Sequence, residues 1–285
     1  MRRPRKLAVI FLALLLLAGC IKAFSKIAYN NLLPQIILSR VDGYFDLNST
    51  QEKYLKSRIA VHHAWHRTTQ LRLYIADLKE LRQRFSAHLT PADLTWLTDR
   101  LSVHRNAIFA RIIPDLVNIL QTLGNEQIDY LQKKLAKENK ELEEKLSRPL
   151  PVRQKEEFAA IVKQVEDWAG SLSDDQKEQL RQKYASMPVN AIDWLRYREE
   201  QQAVWIKLLR SKPDHQQLKA DLEGRMIYQE RNVPPRFKAS FTRTLTLMKE
   251  MILTADRLLT PEQRAHVIGK ADEYIRLMEE LASKN

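Results

Sequence analysis

Apolar side chains recur at steps of three and four along most of this chain. Leu71, Tyr74, Leu78, Leu81 and Phe85 fall on one face of a helix, because a turn of about 3.6 residues brings positions three and four apart into line. No glycine or proline stands between Gly43 and Pro91, so the spacing predicts one long amphipathic helix from about Ser49 to Ser86. At about 1.5 Å per residue it would reach roughly 55 Å. The same stepping returns at Phe241, Leu245, Met248, Ile252, Ala255 and Leu259. A narrower stripe, Ile128, Leu131, Leu135, Leu142 and Leu146, runs through the Lys- and Glu-rich stretch from Glu126 to Leu146. No segment sustains the alternate-residue pattern that strands need. The predicted fold is all-α, an elongated multi-helix bundle of helical hairpins.

Glycine and proline are sparse and act as punctuation. Breaks are expected at Gly124, at Ser147 to Pro151, at Gly170, at Pro188 and at Asn232 to Pro235. Pro114, inside the apolar "ARIIPDLVNIL", is expected to kink a helix and not to end a domain. The Pro-rich link Arg148 to Arg153 would divide a helical half at 31–148 from one at 149–285, unless the two form one continuous domain.

A short pattern recurs at the expected helix starts: a leucine, a capping residue, two variable residues, Gln or Asp, and an aliphatic residue four further on. It fits Leu47/Asn48/Gln51/Leu55, Leu89/Thr90/Asp93/Leu97, Leu123/Gly124/Gln127/Leu131, Leu172/Ser173/Gln176/Leu180 and Leu259/Thr260/Gln263/Val267. A weaker sixth copy is Ser211, Asp214 and Leu218, with Arg210 in place of the leucine. Asn, Thr and Ser at the cap accept from the third helical amide, while the residue at that third position reaches back to the cap's own amide. Pro91 and Pro261 sit at the first helical position, where a missing N–H costs nothing.

The amino terminus changes the picture. Arg2, Arg3, Arg5 and Lys6 precede an apolar run, Leu7 to Leu17, of 11 residues, well short of the about 20 a membrane-spanning helix needs. Small residues then lead into the only cysteine: Leu17, Ala18, Gly19, Cys20. This resembles the lipobox of bacterial lipoproteins. The resemblance implies a cleaved signal peptide at 1–19, a diacylglycerol and an N-acyl lipid on Cys20, and a tether over 20–30. Cys20 is followed by Ile21 and Lys22 and not by aspartate, which in such lipoproteins implies the periplasmic face of the outer membrane over the alternative, retention at the inner membrane. With Cys20 acylated, no disulfide, cysteine nucleophile or cysteine metal ligand remains.

Removing the four basic signal residues lowers the net charge from +12 by four, to +8. In that compartment a basic surface meets anionic lipid, the sacculus or acidic polypeptide in place of nucleic acid. No hydrolase elbow, zinc-protease helix, phosphate loop or dinucleotide fingerprint appears, so no catalytic residue, metal ligand set or cofactor beyond the lipid is expected. His62, His63 and His66 in "HHAWH" lack an evident further ligand. Trp194 and Trp205, eleven apart, fit one helix face and, with Arg196 and Arg198, form a possible aromatic and cationic binding surface.

Two further resemblances bear on role. The windows Leu259/Thr260/Gln263 and Leu172/Ser173/Gln176 resemble the LTxxQ motif of small periplasmic helical chaperones of the Spy and CpxP type, which cradle unfolded clients. The lipobox, "YNNL" at Tyr29, "YFDLNSTQEKYL" at Tyr44, His66-Arg67 and "EDWAGSLSDDQ" at Glu166 together resemble a proteobacterial lipoprotein family known only as a domain of unknown function. The expectation is a non-catalytic, membrane-anchored binding protein, chaperone-like or serving envelope homeostasis. Its partners would be other envelope proteins or unfolded clients. An adaptor for one envelope assembly machine is the alternative, and a hydrolase acting on cell wall or lipid a third reading.

Overall fold

The computed structural model describes residues 28–228 and 233–283. The signal peptide, Leu17, Ala18, Gly19 and the lipidation site Cys20 lie outside the described residues. Ten helices and no strand are found among those described. Helix α1 opens with a π-helical turn, Ala28–Leu32, and continues as Leu33–Phe45. Helix α2 runs as Ser49–Trp65, a π-helical turn His66–Gln70, and Leu71–Phe85, which is the long helix that the spacing predicts. There follow α3 (Pro91–Gln121), α4 (Asn125–Leu146), α5 (Leu150–Ala169), α6 (Asp174–Ala185), α7 (Ala191–Arg210), α8 (His215–Met226), α9 (Pro235–Leu258) and α10 (Pro261–Ser283).

Every predicted break on described residues separates two helices; of the break at Asn232 to Pro235, Asn232 lies outside the described residues. Gly170 ends α5 at φ 82°, a left-handed conformation that glycine adopts without a Cβ penalty. Pro114 lies inside α3, which continues past it to Gln121. Ala28 to Asn30, assigned by the sequence to the end of a tether, are already helical, and Tyr29 is fully buried. No single described helix is long and apolar enough to cross a membrane.

Helices from both sides of the Arg148 to Arg153 link share cores. The last helix, α10, lies along the second half of α2, where Leu71, Ile75 and Leu78 mesh with Ala271, Ile275 and Leu281. The start of α4 packs on the end of α7 through Ile128, Leu131, Ile206 and Leu209. Helix α8 covers α3, with Leu218 and Leu222 against Ile113 and Val117. A further core, Phe158, Ile161, Leu180 and Met251, joins α5, α6 and α9. Each such side chain, taken wholly out of water, contributes about 1.5–3 kcal/mol.

Candidate functional site

The capping repeat resolves into two reciprocal clasps. At the first, Gln51 Nε2 donates to Gln127 Oε1 at 3.1 Å, and Gln127 Nε2 donates to Gln51 Oε1 at 2.8 Å. Each Oε1 also accepts from its own cap amide, Asn48 N at 3.0 Å and Gly124 N at 3.1 Å. Each Nε2 reaches across to the other turn: Gln51 to Thr122 O, and Gln127 to Phe45 O and Asp46 O. The second clasp repeats this chemistry. Gln176 Nε2 donates to Gln263 Oε1 at 2.8 Å and to Leu258 O at 2.6 Å, and Gln263 Nε2 donates to Gln176 Oε1 at 3.2 Å and to Ser171 O at 2.7 Å. Ser173 N and Thr260 N complete the caps.

Each clasp ties one interhelical turn to another, α1–α2 to α3–α4 and α5–α6 to α9–α10. An amide is required there, since only a group with both a carbonyl and an NH₂ can accept from its own cap and donate to its partner. The copy carrying Asp93 in place of glutamine is not clasped. Thr90 and Asp93 form an ordinary capping box, and Asp93 takes Arg84 at 2.6 Å. The sixth copy is out of register: Ser211 ends α7, and Asp214 is itself the cap of α8, accepting from Gln217 N at 2.9 Å. These residues are architecture.

The histidines of "HHAWH" go to different partners. His62 meets Asp115 at 2.7 Å, beside Arg58 at 2.9 Å, whereas His63 and His66 surround Tyr29. Burial raises the Asp115 carboxyl, and the hydrogen bonds from Arg58, Tyr54 and His62 outweigh it, leaving the group below its ordinary range. A parallel triplet stands further along α2, where Asp77 binds Arg100 at 2.8 Å and His104 at 2.5 Å. Among the described residues no group of three or more His, Cys, Asp or Glu is placed to hold a metal ion.

His66 is the most perturbed of these. It opens the π-helical turn of α2, its Nδ1 lies 2.8 Å from Tyr29 Oη, and its ring packs on Tyr74. Burial, then the neighbouring His63, push its pKa down to about 4. Arg67 acts electrostatically on both His63 and Tyr29. The native state therefore favours neutral His66, and the unfolded chain, titrating near about 6.5, binds the proton first. The associated stability is complete above that pH and is lost as pH falls toward about 4, by about 2–3 kcal/mol. Chemical denaturation at pH 7 and pH 4 is expected to show this loss in the native chain. His66→Gln, which keeps an acceptor for Tyr29, is expected to lose that much less, and equal losses would sink the assignment.

The predicted surface is only partly assembled. Trp194 sits in an aromatic cluster with Tyr197 of α7 and with Phe237 and Phe241 of α9, at centroid distances of 5.6, 6.3 and 5.8 Å. Trp205 belongs to a different core, between α3 and α8, under the Arg225 guanidinium. Arg198 is bound to Glu138 at 3.0 Å, and Arg196 is exposed. Val189 and Ile192, which the sequence reading does not single out, and Phe241, which it places on the apolar stripe of α9, complete the surface around Trp194. Val189, Ile192 and Phe241 are 60%, 52% and 36% exposed, and Asn190 Nδ2 anchors their loop to Ser240 Oγ at 2.6 Å and Thr244 Oγ1 at 3.2 Å. From Pro235 to Lys249, α9 carries Arg236, Lys238, Arg243 and Lys249 and no acid.

The model of a family of unknown function (DUF6279) matches residues 43–231. No curated protein and no solved structure matches the chain.

Proposed function

The chain belongs to that family of unknown function, and we propose that it acts by binding other proteins, without catalysis, while held through an acylated Cys20 at the periplasmic face of the outer membrane. One observation carries the reading: the exposed apolar side chains Val189, Ile192 and Phe241 around half-buried Trp194, beside the start of α9, where Arg236 is paired with Glu200 while Lys238 and Arg243 are exposed. Such a surface takes an apolar polypeptide segment, and its cations attract the acidic flanks of one. The LTxxQ likeness does not support the reading, because the glutamines of that motif are consumed in the clasps.

In the test, the acylated full chain on lipid nanodiscs is mixed with an equimolar unfolded envelope protein, and light scattering follows aggregation. We expect a delay that shortens as salt rises and that Phe241→Asp with Ile192→Asp removes, while the circular dichroism of the variant is unchanged. No delay for any unfolded protein would end the chaperone reading. The adaptor reading has its own support in Asn190, which fixes the surface in one shape. A photo-crosslinker at Ile192 separates the two: one protein at fixed stoichiometry means an adaptor, and a heterogeneous set of envelope proteins means a chaperone.

A further inference from the structure

A cleft of about 310 Å³ opens where α1, α2, α3, α7 and α8 meet, and all eleven residues lining it are apolar. Leu47 and Leu123, the leading leucines of the two copies that Gln51 and Gln127 clasp, both line it, so the clasp holds two walls of the cleft in place. The volume sits at the lower end of ligand pockets, about 300–1,000 Å³. It is twice the about 150 Å³ apolar cavity that accepts the six carbons of benzene, which makes room for about a dozen carbons.

The lining selects among occupants. A peptide backbone would bring amides into a space that offers them no partner, at a desolvation cost. A single leucine or phenylalanine side chain would leave most of the volume empty. An unbranched hydrocarbon chain meets neither objection. A cation that stacks on one lining residue, without lining the cleft itself, selects a head group. Arg225 lies over the ring of Trp205, which lines the cleft, with Cζ 5.5 Å from the centroid. Its Nε is buried without a hydrogen-bond partner, and its only side-chain hydrogen bond among the described residues is a long one, 3.3 Å, to Gln201 Oε1. Lys212 reaches the carbonyl of Leu123, another lining residue.

We propose that this cleft binds a free fatty acid, the aliphatic chain among Leu55, Leu116, Leu222 and Met226 and the carboxylate at Arg225. The site is separate from the Trp194 surface and does not depend on the protein-binding reading.

The test uses the acylated full chain on phosphatidylcholine nanodiscs and a photoactivatable dodecanoate, with labelled residues located by mass spectrometry. Labelling is expected at cleft residues and is expected to be lost in Leu116→Trp, which fills the space. Arg225→Gln, which changes no residue lining the cleft, is expected to weaken dodecanoate about tenfold and to leave dodecanol unaffected. Competition by unlabelled fatty acids should strengthen about fourfold per methylene and level off near about 12 carbons. Labelling spread over the surface, or unchanged by both variants, overturns the proposal. Equal cleft labelling from a photoactivatable diacyl phospholipid in the nanodisc assigns the site to bilayer lipid and overturns the free fatty acid. If only the Cys20→Ser chain binds, the protein's own acyl chain is the occupant, and the proposal again fails.

Discussion

Asp256→Ala is expected to destabilise the fold by about 3–5 kcal/mol, because it strands a buried cation. Asp256 is 3% exposed and faces Arg264 Nη1 at 2.9 Å, His88 Nδ1 at 3.2 Å and Leu89 N at 2.9 Å. The Arg264 side chain is 14% exposed; it also donates to Phe85 O and Ala87 O and lies over the Phe85 ring. The pair thus seals the α2–α3 turn onto the α9–α10 turn. Without the carboxylate, Arg264 keeps its burial and loses its counter-ion, and the Leu89 amide loses its acceptor. Urea denaturation at pH 7 measures the loss. Asp256→Asn, which retains an acceptor for Leu89 but not the charge, should fall between the two. Asp256→Leu with Arg264→Met should cost clearly less than the two single changes added, since no charge is then left unpaired. A loss under about 1 kcal/mol for Asp256→Ala would place the pair among ordinary surface bridges.

That pair marks the limit of what the sequence alone makes legible. Helix starts and stops can be read because caps, glycines and prolines act locally: Asn48, Thr90, Ser173 and Thr260 cap the helices their patterns predict. Partners cannot be read this way, since they are set by how helices cross. Arg264 is the last letter of "LTPEQR", and nothing near it in sequence names Asp256 or the Phe85 carbonyl. The available signal was Asp256 itself, an acid adjoining Ala255 on the apolar stripe of α9. Trp194 and Trp205 do share a helix, but α7 meets α9 near its start and α4 and the α3–α8 core near its end, so helical spacing does not make one surface of them. Asp214 is itself the cap, one turn earlier in the motif than the spacing from Ser211 predicts, and Arg210 in place of the leading leucine is the sign that this copy departs from the others.

The clasps were legible in one respect, that four copies carry glutamine and one aspartate, and this difference makes the second strong prediction. Gln176→Ala removes the donors to Leu258 O and Gln263 Oε1 and the acceptor for Ser173 N. Gln176 is 7% exposed, and water cannot replace all of these bonds. At about 1–3 kcal/mol for each buried group left unpaired, the expected cost is about 3–4 kcal/mol. Gln176→Glu should cost at least as much, although glutamate suits an ordinary capping box, because a carboxylate would face Leu258 O and Gln263 Oε1. In the cycle Gln176→Ala, Gln263→Ala and both, the double change should fall short of the sum by about 1–2 kcal/mol, since neither amide is then left facing a missing partner. Asp93→Asn is the contrast. Its bridge to Arg84 is partly open to water, so it should cost no more than about 1 kcal/mol. If Gln176→Glu proved harmless and the cycle additive, Gln176 and Gln263 would be caps and nothing more, and what ties the α5–α6 turn to the α9–α10 turn would need another explanation.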